Sequence, residues 1–332
     1  MAINDSVRNM LDSILEIVAK KSSILLTDND TKRLCKKNPE LGFIESLCNS
    51  NPDAWIRIQP NELELSVNAL RKKIGNLPND FDSSTFIVNE LRKYSTNPWE
   101  LYQASMEFQR ISLESELEGP ITEIEYNKKS KELLKVGISF PIFDEILRKF
   151  NKYNIFLEKD SPEVKDWDGV IPLSDLFETE IAPAENKQYF EQRFINYLLE
   201  NVQDISSMHW RNFERLITQY FSENGYHVVL GKGTKDGGID IRVWKDESSR
   251  QSSPLIIIQC KRHKDMKVGV DIVKSFYADV LFEKAGTGLI ATTTNITSGG
   301  KKIIKARGYN IEVAESKEIE KMVRELWKNP IL

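Results

Sequence analysis

Histidine and cysteine are both scarce, with three of each in 332 residues. His209, His227 and His263 are scattered, and Cys35, Cys48 and Cys260 form no Cys-x-x-Cys pair, so the ligand spacings of a zinc site are missing. So few cysteines, with Cys260 expected in a core, also exclude a disulfide framework and point to a reducing compartment. No apolar run approaches the roughly 20 residues needed to span a bilayer. The opening Met1-Ala2-Ile3-Asn4-Asp5 lacks a signal-peptide pattern, and the expected location is the cytoplasm, with no membrane partner. There is no repeat period and no low-complexity tract. Where glycine clusters, from Gly231-x-Gly233 through Gly238, the run lacks the Gly-Lys-Ser/Thr of a phosphate-binding loop. It reads instead as a flexible turn ahead of Asp240.

With 40% hydrophobic and 29% charged residues, a chain of this length holds two globular domains. The formal net charge of −4 hides an asymmetry. From Ser206 onward there are 21 Lys and Arg against 15 Asp and Glu, a net of +6, whereas the remainder carries 25 against 35, a net of −10. The C-terminal part is therefore suited to a polyanion, and the acidic N-terminal part to protein contacts.

The N-terminal part reads as helical. Val7, Met10, Leu11, Ile14, Leu15 and Val18 follow a helical stripe after a Ser6 cap, and further helices are expected near 63–75, 84–94, 99–117 and 141–152. Asn38-Pro39, Asn51-Pro52, Asn97-Pro98 and Gly119-Pro120 punctuate it. Ser161-Pro162, Asp168-Gly169 and Pro183 mark a connector that has room for a short hairpin. These signals divide the chain into a mainly α-helical domain at 1–155, a connector at 156–188 and a second domain at 189–332. The role of the first domain is not legible in its residues.

The second domain carries the chemistry. From Gly238 to Val243 the residues alternate, which places Ile239, Ile241 and Val243 on one face of a strand and Asp240 and Arg242 on the other. Leu255 to Lys261 is a β-branched run expected as a central strand, with Gln259 and Lys261 on one face. The polar segment from Lys245 to Ser253 is a natural hairpin link, and antiparallel pairing then brings Asp240, Gln259 and Lys261 to one side of the sheet. An Asp beside Gly-Gly is often a turn residue and a strand-terminal Lys often a solvated edge charge. Against that stands their coincidence: burying a lysine costs several kcal/mol unless it is paired, so a site with anionic partners is the better context. A helix capped by Ser206 or Ser207 and running to Asn224, with Gly225 as its stop, supplies a fourth residue. Trp210, Phe213, Leu216, Ile217, Tyr220 and Phe221 make its apolar stripe, and Glu214 lies at the border, either as an edge residue with its head in water or as a second carboxylate for a metal. Lys232, Lys235, Arg262 and Lys264 are available to DNA phosphates, while His263 in the same basic cluster reads as solvated surface and Asp236 as a turn residue in preference to an acid behind the site.

In order, Trp210-x-x-Phe213-Glu214, Gly225-Tyr226, Asp236-Gly237-Gly238-Ile239-Asp240-Ile241 and Gln259-Cys260-Lys261-Arg262 resemble the Mrr-type branch of the PD-(D/E)xK restriction endonucleases. The resemblance covers roughly residues 190 to 332, including an expected strand from Gly288 to Thr293 and a helix from Thr297 to Arg307. It implies an α/β restriction-endonuclease-like fold and hydrolysis of DNA phosphodiester bonds with Mg²⁺, or Mn²⁺ in its place, in restriction or antiphage defence. By position it makes Asp240 the metal ligand, Gln259 the neutral variant of a usually acidic residue, Lys261 the catalytic lysine and Glu214 the helix-borne acid that compensates. Lys261 then orients or deprotonates the attacking water, or stabilises charge on the phosphate. A homodimer or higher oligomer is expected, since cutting a duplex usually takes two sites. The other class of reading is a nuclease-fold module that binds DNA without cutting it, in which case Asp240 and Lys261 would be free to disappear.

Overall fold

The structure is a computed structural model, described here for residues 2–79, 83–153, 169–180, 188–233 and 238–328. It divides into two compact units, Met1–Lys72 with Leu77–Ile171, and Lys73–Asn76 with Pro172–Pro330.

The first unit is mainly helical, as its patterning predicts. Its opening helix runs from Val7 to Ser22, and the Ser6 side chain accepts from the Asn9 N–H at 3.2 Å. All six residues of the predicted stripe, from Val7 to Val18, are buried. Further helices span Pro60–Lys73, Ser83–Leu91, Pro98–Glu118 and Phe140–Tyr153, close to the expected ranges. The helix at Pro98 starts where the Asn97 side chain accepts from two backbone N–H groups and Pro occupies the first turn, which lacks a hydrogen-bond partner for its own N–H in any helix. Phe108, Tyr126 and Phe143 form the centre of one apolar cluster, and the Tyr126 hydroxyl donates to the Ile138 carbonyl at 2.7 Å. The periodicity missed an antiparallel pairing of Ile3–Ser6 with Trp55–Ile58, two segments too short to show an alternation.

In the second unit the elements follow as α1 (Gln192–Glu200), α2 (Trp210–Glu223), β1 (His227–Leu230), β2 (Ile241–Trp244), β3 (Ile256–Lys261), α3 (Val270–Phe282), β4 (Thr287–Thr292), α4 (Ser298–Arg307), β5 (Ile311–Ala314) and α5 (Ser316–Leu326). The five strands form one sheet in the order β1-β2-β3-β4-β5. The β1–β2 and β2–β3 pairings are antiparallel, while β3–β4 and β4–β5 are parallel. The apolar run of β3 is thus central, as a strand covered on both faces should be. Ile257 and Ile290 pack with Val273, Phe276 and Val280 of α3 under α4, and α2 and α5 pack together as the other helical layer.

The expected strand from Gly238 is corrected in one respect. Ile239 belongs to the α3-side cluster with Ile257, yet Arg242 is the residue opposite Ile257 and so shares that face. Residues three apart cannot share a face in a regular pleat. The Asp240 N–H donates to the Ile258 carbonyl at 2.9 Å, while Ile241 is the register partner of the same Ile258. Two residues facing one is a β-bulge, the device that re-aims a side chain. The regular strand begins at Ile241, after the bulge.

Residues 172–180, assigned to the connector from sequence, cluster with the second unit. Leu176 is fully buried there, and the Asn212 side chain of α2 donates to the carbonyls of Leu176 and Thr179 at 3.0 and 2.8 Å. The rest of the expected connector lies largely outside the described residues.

Candidate active site

Helix α2 starts later than its sequence suggests. Ser206 and Ser207 fall in a 3₁₀ turn at Val202–Ser207, and His209 is the cap, its Nδ1 accepting from the Arg211 N–H at 3.3 Å. Gly225, at φ 84°, ends it, and the Tyr226 N–H returns to the Phe221 carbonyl at 3.2 Å. Phe213, Leu216, Ile217 and Phe221 are buried as predicted. Trp210 is 40% exposed and Tyr220 half-buried, so the first and fifth residues of the expected stripe lie at its rim.

Glu214, at the border of the apolar stripe, is buried and does not lie in water. Burial of a carboxylate demands a partner. Arg211 supplies it, with Nη1 donating to Glu214 Oε2 at 2.6 Å. The same guanidinium donates from Nη2 to the Gly231 carbonyl at 2.6 Å and from Nε to Glu180 Oε1 at 3.3 Å. Arg215 Nη2 reaches that Glu180 oxygen at 2.5 Å. Arg215, then Arg211, hold the Glu180 carboxyl below its ordinary value against a smaller cost of burial.

On the sheet, the bulge sends the Asp240 carboxylate along β3, where Oδ2 accepts from the Cys260 N–H at 2.6 Å. Gln259 is buried, and its Nε2 donates to the Gly238 carbonyl at 3.0 Å, while Gln259 Oε1 is buried with no hydrogen-bond partner. Gly238 sits at φ 87°, and a Cβ there would lie 3.2 Å from Gln259 Nε2. Lys261 is half-buried at the end of β3, its carbonyl held by the Thr292 hydroxyl at 2.9 Å.

Burial pushes the Cys260 thiol well up, the Asp240 and Glu214 carboxylates add to that, and Lys261 and Arg211 oppose them. Asp240 is tied to β3 through the Cys260 N–H, and its carbonyl accepts from the N–H of Gly231, whose own carbonyl is held by Arg211, at 2.7 Å. Cys260, expected in the core, is half-buried near the end of β3; Arg211 and Glu180 carry no prediction from the sequence. The i,i+3 spacing of Arg211 and Glu214 was a usable signal. Glu180 has none, being 31 residues from Arg211 in the chain.

The basic residues are less uniform than predicted. Lys232 and Lys264 are exposed; Arg262 is half-buried, with a buried Nε that has no hydrogen-bond partner; Lys235, like Asp236 and Gly237, lies outside the described residues. His263 is half-buried, not solvated: its N–H donates to the Thr293 hydroxyl at 2.9 Å, and burial, then Lys261 and Arg262, push its imidazole down. No group of three or more His, Cys, Asp and Glu that suits a metal occurs among the described residues. The oxygens expected from the sequence are the carboxylates of Asp240, held by the Cys260 N–H, and of Glu214, held by Arg211, and the buried amide oxygen of Gln259, which has no hydrogen-bond partner. Hard oxygens with few carboxylates fit Mg²⁺ in kind, since that ion keeps several waters and takes phosphate oxygens.

Residues 205–323 match the family model for the Mrr catalytic domain, described as restriction endonuclease. The C-terminal part carries an Mrr-like restriction endonuclease domain. Among solved structures, the MspJI restriction endonuclease in complex with a 27-mer oligonucleotide is similar at 18% identity and a TM-score of 0.30. That similarity covers 43% of this chain and 35% of the length of that one. No curated protein matches the chain. No helix among the described residues is long and apolar enough to cross a membrane. In the Mrr-like domain, then, Gln259 and Lys261 lie on β3, Asp240 at the bulge before β2 and Glu214 on α2.

Proposed function

We propose that the chain is a metal-dependent endonuclease that hydrolyses DNA phosphodiester bonds, working in restriction or antiphage defence. The observation that carries this reading is the bulge at Asp240, which fixes its carboxylate on the N–H of Cys260, the residue between Gln259 and Lys261 on β3, in an Mrr-like domain. Asp240 and Glu214 would hold the ion, Mg²⁺ or Mn²⁺, with Gln259 as a neutral donor. Bound there, the ion would supply a water of lowered pKa and neutralise charge on the phosphate.

The chain's own residues do the rest. Cys260 N fixes one Asp240 oxygen, so the carboxylate keeps its direction without rearrangement. Lys261 presents an ammonium at the end of β3, where it orients or deprotonates the attacking water or meets the charge that builds on the phosphate oxygens. Lys232, Arg262 and Lys264, with Lys235 added from the sequence, bind the backbone on either side through a salt-dependent attraction that carries no base preference. The acidic first unit serves as a sensor, protein partner or oligomerisation surface, and the active assembly is a homodimer or higher oligomer.

Incubation of the full chain with modified and unmodified DNA tests this, with Mg²⁺, Mn²⁺ or EDTA. Cleavage that needs a divalent cation and stops with EDTA is the expected result. DNA that is bound but never cut, with either cation and with natural partners present, would favour a silent DNA-binding module.

A further inference from the structure

Arg211 does more in this site than a structural cation would. Its side chain is 9% exposed and faces Glu214, 6% exposed, across 2.6 Å. It also touches Glu180, whose side chain is 48% exposed and which Arg215 shares. An uncompensated charge at such depth is costly for either partner, so neither Glu214 nor Arg211 separates from the other unless something replaces it. For Glu214 the replacement is a divalent cation. For Arg211 it is Glu180, already within hydrogen-bond reach.

Resting on the nuclease reading above, we infer that Arg211 is a positioning residue that competes with the divalent cation for Glu214 and turns to Glu180 when the cation takes that carboxylate. Charge at the site gives the competition its weight. Gln259 is neutral, so Asp240 and Glu214 are the two anionic donors of the set, and Arg211 neutralises one of them. Glu180 decides how tightly Arg211 grips. While Glu180 is ionised the guanidinium has a second anion to lean on; without it, Arg211 has Glu214 alone and releases it less readily. Arg211 also holds the carbonyl of Gly231, whose N–H donates to the Asp240 carbonyl at 2.7 Å, so the guanidinium that pairs with Glu214 also touches the backbone partner of Asp240.

Calorimetric titration of the full chain with Mn²⁺ and Mg²⁺, with and without DNA, separates these roles. Arg211→Met should tighten cation binding by about tenfold to a hundredfold, the equilibrium equivalent of one charge-assisted hydrogen bond. Glu180→Gln should weaken it by roughly tenfold. Arg215→Met, which leaves the Glu214 pair intact, should change it by less than about threefold. A purely structural role would move Arg211→Met and Glu180→Gln in the same direction, and a mere field effect would make Arg211→Met and Arg215→Met tighten equally; either pattern overturns the inference. If Arg211→Met fails to melt cooperatively, Glu180→Gln decides, and unchanged or tighter binding refutes the exchange. A wild-type chain that binds no divalent cation, even with DNA, removes the nuclease reading itself, whereas cleavage and cation binding with equal affinities in all variants removes only the exchange.

Discussion

Asp240 points along β3 because it and Ile241 share Ile258 as a partner, and Gly238 makes that arrangement possible. At φ 87°, with Gln259 Nε2 3.2 Å from the position of a Cβ, an alanine would meet both backbone strain and a side chain that is already hydrogen-bonded. Gly238→Ala should therefore cost about 1–2 kcal/mol in thermal or urea unfolding, the usual penalty for a left-handed non-glycine residue. A variant that unfolds with the wild type would show that the turn relaxes freely. The three cysteines should also separate by reactivity. A hydrogen bond from Cys35 draws the Cys48 thiol down to about 7, whereas burial and two carboxylates push Cys260 well up. Since the thiolate is the nucleophile, iodoacetamide at pH 7.5 should label Cys48 first and spare Cys260. Peptide mass spectrometry reads this directly, and equal labelling of both would contradict the opposite displacement of the two thiols.

At the scale of the element, α2 shows what periodicity reveals and what it hides. Phe213, Leu216, Ile217 and Phe221 were legible because an apolar stripe at helical spacing reports one buried face. For Glu214, periodicity alone leaves open whether its head lies in water or in the site, because a stripe reports only the buried face; the segment 172–180, which reaches Arg211, Asn212 and Arg215 on the polar side, is distant along the chain and leaves no mark in the sequence of α2. The same limit explains Asp240. Alternation gave the strand and its polar residue, but a bulge depends on where the partner strand lies, which no local pattern encodes. Phe213→Ala should cost about 3–5 kcal/mol, while Trp210→Ala, at 40% exposure, should cost far less. Denaturant midpoints at constant slope distinguish the two, and similar losses would mean that Trp210 packs more tightly than its exposure implies. The contact between 172–180 and α2 should also be acid-sensitive. Arg215 and Arg211 depress the folded-state pKa of Glu180 below its unfolded value of about 4.3, so its contribution is full above that pH and lost as pH falls through the folded value. Melting of Glu180→Gln should therefore fall less steeply than wild type below about pH 4, and parallel slopes would count against the ion pair.

For the whole molecule, the partition into two units predicts that the nuclease unit folds alone only if it includes the segment covering α2. A fragment from Pro172 to Leu332 should melt cooperatively, whereas one from Glu185 to Leu332 strips Asn212 of its carbonyl partners and both arginines of Glu180, and should be less stable or aggregate. Equal melting of the two would make the cover on α2 dispensable. Light scattering of the full chain tests assembly: a dimer or larger species is expected, and monomer alone at micromolar concentration, with and without DNA, rejects it. In the proposed nuclease, Asp240 and Lys261 serve chemistry more than affinity. DNA cleavage and DNA binding measured side by side for wild type, Asp240→Ala and Lys261→Ala with Mg²⁺ separate the two. Lys261→Ala should lose about 10²–10³-fold in cleavage rate and Asp240→Ala should stop cutting, while both still bind DNA. Cleavage at the wild-type rate by both variants would contradict that assignment.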